Sequence, residues 1–138
     1  MPFKYTFMIF LKNFLDWFVV KPQIHQEKQR PLFQEREIWM CHFGSNVGFE
    51  LDGKKAEALR PIVVFKKISK DTLLAIPLSS HKKNGTWYSK SIIKEREGRY
   101  CLNQIRMIDA KRLKYWMEQI TSDDFLQIQD DFQKFLKS

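Results

Sequence analysis

The run "RPIVVFKKISKDTLLAIPLSS" (60–80) constrains the fold more than any other part of the chain. Two apolar, β-branched stretches flank Ser69–Asp71, a polar triplet suited to reversing the backbone, so the spacing predicts an antiparallel hairpin. Further short strands are expected on either side of it. "EIWMCHF" forms one, running into "GSNVG"; "TWYSKSIIK" and "RYCLNQIRMID" form a second pair joined through "EREG". "HKKNG" carries an Asn-Gly turn signal. The stretch "KRLKYWMEQI" fits either a helix or a turn followed by a strand. After it, Thr121 or Ser122 caps a helix whose first turn holds Asp123 and Asp124 and whose apolar face is Phe125, Ile128, Phe132 and Phe135.

The N-terminal stretch "MPFKYTFMIFLKNFLDWFVV" is apolar enough to raise the question of a membrane segment. Lys4, Lys12 and Asp16 interrupt it, and a span needs about 20 mostly apolar residues. An amphipathic helix is the expectation instead, with Phe7, Leu11, Phe14, Leu15 and Phe18 as the face that docks on the domain or on a second subunit. A membrane-surface helix is the alternative. Pro22 and "QIHQEKQR" read as a connector closed by Pro31. The chain therefore divides into a helix and connector over 1–32 and a main domain over 33–138. The expected class is mainly β: a small curved antiparallel sheet or barrel with a helix at each end.

At 138 residues, 43% of them hydrophobic and 12 of them Phe, one domain with a real core is expected. A net charge of +8 points to an anionic partner: nucleic acid, an acidic protein or an anionic membrane surface. Cys41 and Cys101 lack paired spacing, which fits reduced thiols in the cytoplasm. Cys41 and His42 are adjacent and would point to opposite strand faces, so no metal and no cofactor is expected.

Chemistry on so small a sheet belongs to loops and strand ends. Arg60 opens the first hairpin strand, where a guanidinium could grip phosphate at any ordinary pH; taken alone it reads more readily as a simple surface arginine. Glu50 closes the loop "GSNVGFE" after Asn46 and Gly48, either as a working carboxylate or as an exposed partner of Arg60 or Lys54. Ser79 and Ser80 end the second hairpin strand, where a hydroxyl can bind a phosphate oxygen or cap a turn. His81, Lys82 and Lys83 add positive charge there, and Lys66, Lys67, Lys90 and Arg106 could track a nucleic-acid strand. Trp87 or Tyr88 could stack a base or belong to the core. An arginine, an acid and a hydroxyl at strand ends suit phosphodiester chemistry better than redox or acyl chemistry.

The order "GFE", "RPIVV", "AIPLSS", "LNQIRMID" resembles the PemK/MazF family of toxins from bacterial type II toxin–antitoxin systems, over about Glu35 to the C-terminus. The resemblance implies a homodimeric endoribonuclease, an mRNA interferase, that cuts single-stranded RNA without metal. The RNA's own 2′-hydroxyl attacks, leaving a cyclic phosphate and a 5′-hydroxyl. It also implies an acidic antitoxin partner, a cytoplasmic location and no membrane. Carried over by motif, the catalytic positions fall on Arg60, Ser79 and Glu50. Glu50 would orient Arg60 or accept the 2′-hydroxyl proton. The motif also places Gln104 among the substrate contacts, and Asn46, Gly48, Ser80, His81, Lys82 and Arg106 are expected beside it from the reading of the residues themselves. The chain departs from the family pattern at Leu51, where glutamine is usual, at Ser79, where threonine is usual, and in a longer loop before Arg60. Two alternatives stand beside this reading: a non-catalytic basic nucleic-acid-binding barrel, and a module that holds an acidic protein.

Overall fold

A computed structural model describes the backbone of residues 3–138 and the side chains from residue 14 onward. The elements in chain order are α1 (Phe3–Gln26), β1 (Glu37–His42), β2 (Leu59–Lys67), β3 (Thr72–Ser79), β4 (Tyr88–Ile93), β5 (Arg96–Cys101), β6 (Arg106–Asp109), β7 (Leu113–Gln119) and α2 (Ser122–Lys137). Short 3-10 turns at Leu102–Gln104 and Ala110–Arg112 precede β6 and β7.

The 60–80 hairpin forms as expected, with β2 antiparallel to β3 from Ile62↔Pro77 to Lys67↔Leu73. Ser69 makes the reversal: its Oγ accepts from the backbone N–H groups of Asp71 and Thr72 at 3.1 Å. Seven antiparallel strands follow the order β4-β5-β3-β2-β1-β7, with β6 paired to β3 beside that path. β3 is the branch point. Its first half pairs with β6, and its last two residues pair with β5 as Leu78↔Tyr100 and Ser79↔Arg99. Register shifts in β1–β7 and β2–β3 bend the sheet, which does not close: β4, β6 and β7 each pair with a single strand.

Alternation along β2 fills both faces. Ile62 and Val64 face a core with Phe33, Trp39, Cys41, Phe43 and Leu73; Val63 and Phe65 face one with Ile38, Ile76, Leu102, Phe125 and Ile128. α2 covers the second face through the predicted stripe Phe125, Ile128, Phe132 and Phe135. Thr121 is its cap, accepting from Asp124 N at 3.1 Å, and Ser89 Oγ donates to Asp131 at 2.6 Å to tie the helix to β4.

Three local expectations change. β4 and β5 are joined by the two residues Lys94 and Glu95, both at positive φ (49° and 66°), so Arg96 already lies in the strand rather than in an "EREG" loop. That is the backbone of a primed hairpin turn, built here without the Asn or Gly that usually announces it. "RYCLNQIRMID" is not one strand but two, broken at Leu102–Gln104, and "KRLKYWMEQI" resolves as a turn and strand β7. α1 runs through Pro22 to Gln26 instead of stopping at the proline. Proline removes one helix hydrogen bond, to the carbonyl of Phe18, and Phe18 is itself exposed, where water can replace the donor.

Of the expected docking face of α1, Phe7 and Leu11 lie outside the described side chains, Phe14 is half-buried, and Leu15 and Phe18 are exposed. Among the described side chains of α1, Trp17 is the buried one. Behind it, Arg30 makes a two-pronged pair with Asp109 at 2.8 and 2.9 Å, and Lys111 Nζ donates to the His25 carbonyl at 3.0 Å.

Candidate active-site cleft

Strand register brings the start of β2 beside the end of β3. There a cleft of about 470 Å³ is lined by Lys54, Lys55, Arg60, Ser79, Ser80 and Arg96, with Met40, Tyr115 and Met117 among its apolar walls. Arg60 Nε donates to the Asp52 carbonyl at 2.6 Å and Nη1 to the Leu78 carbonyl at 2.9 Å. Two neutral acceptors therefore fix the fork, and among the described residues no carboxylate forms an ion pair with it. Burial lowers the Arg60 pKa, with the Asp52 charge opposing that shift; a guanidinium so placed stays protonated. Its Nη2 amine and positive charge remain for an anion.

Ser79 lies in the same cleft, its Oγ accepting from His81 N at 3.2 Å. A hydroxyl that accepts a local hydrogen bond still has its own proton to donate. Gly98 makes this approach possible: a Cβ there would lie 2.6 Å from the Ser79 carbonyl oxygen. Gly53 serves the loop side, where a Cβ would fall 1.6 Å from the Ala58 carbonyl oxygen.

The remaining candidates separate. Asn46, Glu50, Gln104 and Arg106 line a second recess of about 340 Å³ with Phe43 and Leu51. Glu50 accepts from Val47 N at 3.0 Å and does not pair with Arg60; the Asp52 and Leu78 carbonyls orient the arginine. Gln104 grips the loop, accepting from Leu51 N at 3.2 Å and donating to the Phe49 carbonyl at 3.1 Å. Asn46 Nδ2 donates to the Leu51 carbonyl at 2.7 Å, and Arg106 Nη1 to the Phe43 carbonyl at 3.3 Å. Gly48 turns the loop tip at φ +58° with open space around it. His81 and Lys82 are exposed beside the first cleft rather than in its wall, and Lys82 and Lys90 pair with Glu97.

Lys66 and Lys67 do not belong to this face. They end β2, bound to Glu35 and to the Phe33 carbonyl and ring. Six or seven strand residues separate them from Arg60, about 20 Å at roughly 3.3 Å per residue. Trp87 and Tyr88 pack against each other, 5.9 Å between ring centroids, and neither lines the cleft. Sequence reasoning missed Lys54, Lys55 and Arg96 as cleft cations. The lysines were legible as part of a charged loop, whereas Arg96 depends on the Lys94–Glu95 reversal.

The fold is thus a small bent antiparallel sheet whose cleft brings Arg60, Ser79 and further cations together. The sequence profile of the PemK-like, MazF-like toxins of type II toxin–antitoxin systems matches residues 34–136, and the chain belongs to that family. Solved structures agree on the fold. MazF from Deinococcus radiodurans (form I) aligns with a TM-score of 0.59 at 16% identity, over 80% of this chain and 100% of that one. Mycobacterium tuberculosis toxin MazF-mt6 gives 0.57 at 7% identity, over 74% and 97%. A mycobacterial endoribonuclease in complex with its cognate antitoxin gives 0.57 at 12%, over 78% and 95%. Comparison with curated proteins found no match.

Proposed function

We propose that this chain is the toxin of a type II toxin–antitoxin pair and cuts single-stranded RNA by the substrate's own 2′-hydroxyl. Membership of the family supports the class. The observation that carries the chemistry is Arg60: a rigidly held guanidinium without a carboxylate partner, sharing a basic cleft with Ser79 and Ser80. In this reading the O2′–P bond forms and the P–O5′ bond breaks. The 2′-hydroxyl passes its proton to solvent, and O5′ leaves with one taken from solvent. Arg60 stabilises the charge gathering on the phosphoryl oxygens, since its pKa makes it a poor base. Ser79 donates to a phosphate oxygen, Lys54, Lys55 and Arg96 hold the flanking backbone, and no metal is used.

The second recess takes a neighbouring nucleotide. Asn46, Glu50, Gln104 and Arg106 offer donors and acceptors that read base edges there, with Glu50 contributing from that side rather than through Arg60. An acidic antitoxin segment is the natural inhibitor of a +8 chain, by covering the same basic cleft. A homodimer in the cytoplasm completes the reading. Both cysteines are free and buried, and no described helix is long and apolar enough to cross a membrane.

The test is incubation of the purified chain with a long single-stranded RNA in EDTA, followed by mapping of product ends. Cyclic-phosphate and 5′-hydroxyl ends are expected. Cutting that requires added magnesium overturns the mechanism, and tight RNA binding without products assigns the chain to a non-catalytic binder.

A further inference from the structure

The helix α1 precedes the residues matched to the family, yet Trp17, the buried aromatic among its described side chains, sits at the neck of the 44–53 loop. Trp17 packs on Gly44 so closely that a Cβ on Gly44 would lie 3.1 Å from the indole Cζ2. Gly44 is also at φ +101°, a conformation other residues resist, so both space and backbone call for glycine. On its other side the indole carries Arg112, whose guanidinium stands 5.7 Å from the ring centroid. Arg112 Nη1 in turn donates to the His42 carbonyl at 3.0 Å and the Phe43 carbonyl at 3.4 Å.

From Gly44 the contacts continue to the cleft. The Gly44 carbonyl accepts from Gly53 N at 2.8 Å, closing the neck of the 44–53 loop. Asp52, adjacent in the chain, offers the carbonyl that holds Arg60 Nε at 2.6 Å. We infer that Trp17 is a positioning residue for Arg60, acting through Gly44, the Gly53 amide and the Asp52 carbonyl. α1 thus works as a brace that this chain has added to the toxin fold. Arg30–Asp109 and Lys111–His25 hold the brace in place at its far end. The path is a contiguous series of packed and hydrogen-bonded groups, the kind through which a displaced ring can tilt a distant side chain.

The structural half of this inference stands on geometry alone; its effect on cleavage rests on the nuclease reading. Trp17→Ala and Trp17→Phe are compared with the unaltered chain by amide hydrogen exchange and by RNA cleavage. Trp17→Ala should speed exchange at Gly53 and Leu51 about tenfold or more while Val63 and Ile76 keep their rates, as expected of a local opening. It should lower kcat about ten- to a hundredfold, the usual cost of displacing a catalytic group by about 1 Å, with KM within about twofold. Trp17→Phe, which keeps a ring against Gly44, should restore most of both. Unchanged exchange at Gly53 in Trp17→Ala overturns the brace. Faster exchange with an unchanged kcat overturns its link to Arg60. An unaltered chain that cuts no RNA refutes the nuclease reading instead, and the exchange comparison still decides the brace. Should Trp17→Ala not fold, Trp17→Leu, which keeps apolar cover without the ring, carries the same comparison.

Discussion

Arg60 and Leu78 meet through a 2.9 Å hydrogen bond from the guanidinium Nη1 to the main-chain carbonyl, which fastens the start of β2 to the residue before Ser79. The bond places the cation and the hydroxyl in one cleft without a carboxylate to neutralise the arginine. Replacing Arg60 by Ala should therefore lower RNA cutting about a hundred- to a thousandfold, as loss of a preorganised donor does. Arg60→Lys should not rescue it, because an ammonium lacks the planar fork that spans the Asp52 and Leu78 carbonyls. Single-turnover cleavage with far-UV circular dichroism as the fold control measures this. Cutting by Arg60→Ala at the unaltered rate removes the residue from the mechanism.

Gly98 predicts a stability effect. Alanine there would drive its Cβ to 2.6 Å from the Ser79 carbonyl oxygen, a backbone atom that cannot swing aside. Gly98→Ala should cost about 1–3 kcal/mol, as overpacking does, seen as a lower midpoint in urea. A midpoint unchanged from the parent would mean that β5 does not approach β3 as described.

Gln104 separates loop order from chemistry. Gln104→Leu removes its bonds to Leu51 N and the Phe49 carbonyl at the loop tip, leaving Arg60 and its two carbonyls in place. Loss of about 1 kcal/mol of hydrogen bonding corresponds to roughly a fivefold rise in KM. Steady-state kinetics on one RNA should show that rise with kcat little altered. A fall in kcat alone would move Gln104 from the binding recess to the chemistry.

Acid should release α1's anchor before the sheet. The hydrogen bonds from Arg30, with help from Lys111 N, pull the Asp109 carboxyl from its ordinary 3.8 down to about 2. A depressed carboxylate contributes its stabilisation above its unfolded pKa and loses it as pH falls through the folded value. The pair is partly solvated, so the contribution is small. Exchange protection of the residues around His25 should hold to about pH 4 and fall between about 4 and 2, and Asp109→Asn should remove that dependence. Protection that already changes near neutrality would assign the anchor to another group.

Thiol chemistry reports how tightly the interior is closed. Cys41 is fully enclosed and burial pushes its pKa up to about 12, while burial also raises that of Cys101. The folded protein at pH 8 should react with a maleimide at neither position, and at both once unfolded in guanidinium. Rapid native labelling at Cys41 would show that the core beneath β1 opens.

Some of this molecule was readable from the amino-acid order. Ser69–Asp71 between two β-branched runs, and Thr121 ahead of two acids and a four-residue apolar stripe, are local signals whose meaning survives in any compact context. The motif order likewise picked out Glu50, Arg60, Ser79 and Gln104 as candidates, because each residue type suits phosphate or RNA. It did not show that Glu50 and Gln104 line one recess while Arg60 and Ser79 line another.

Sequence alone determined the hairpin, the C-terminal helix and which arginine opens β2, since these depend on spacing, caps and side-chain type. Tertiary structure decided that "KRLKYWMEQI" is a turn followed by a strand, that Lys94–Glu95 turn without glycine, and that Trp17 is buried while Phe18 is exposed. The reason is physical: periodicity reports that a surface needs cover, but the surface it meets, and the carbonyls that aim a guanidinium, come from segments distant in the chain.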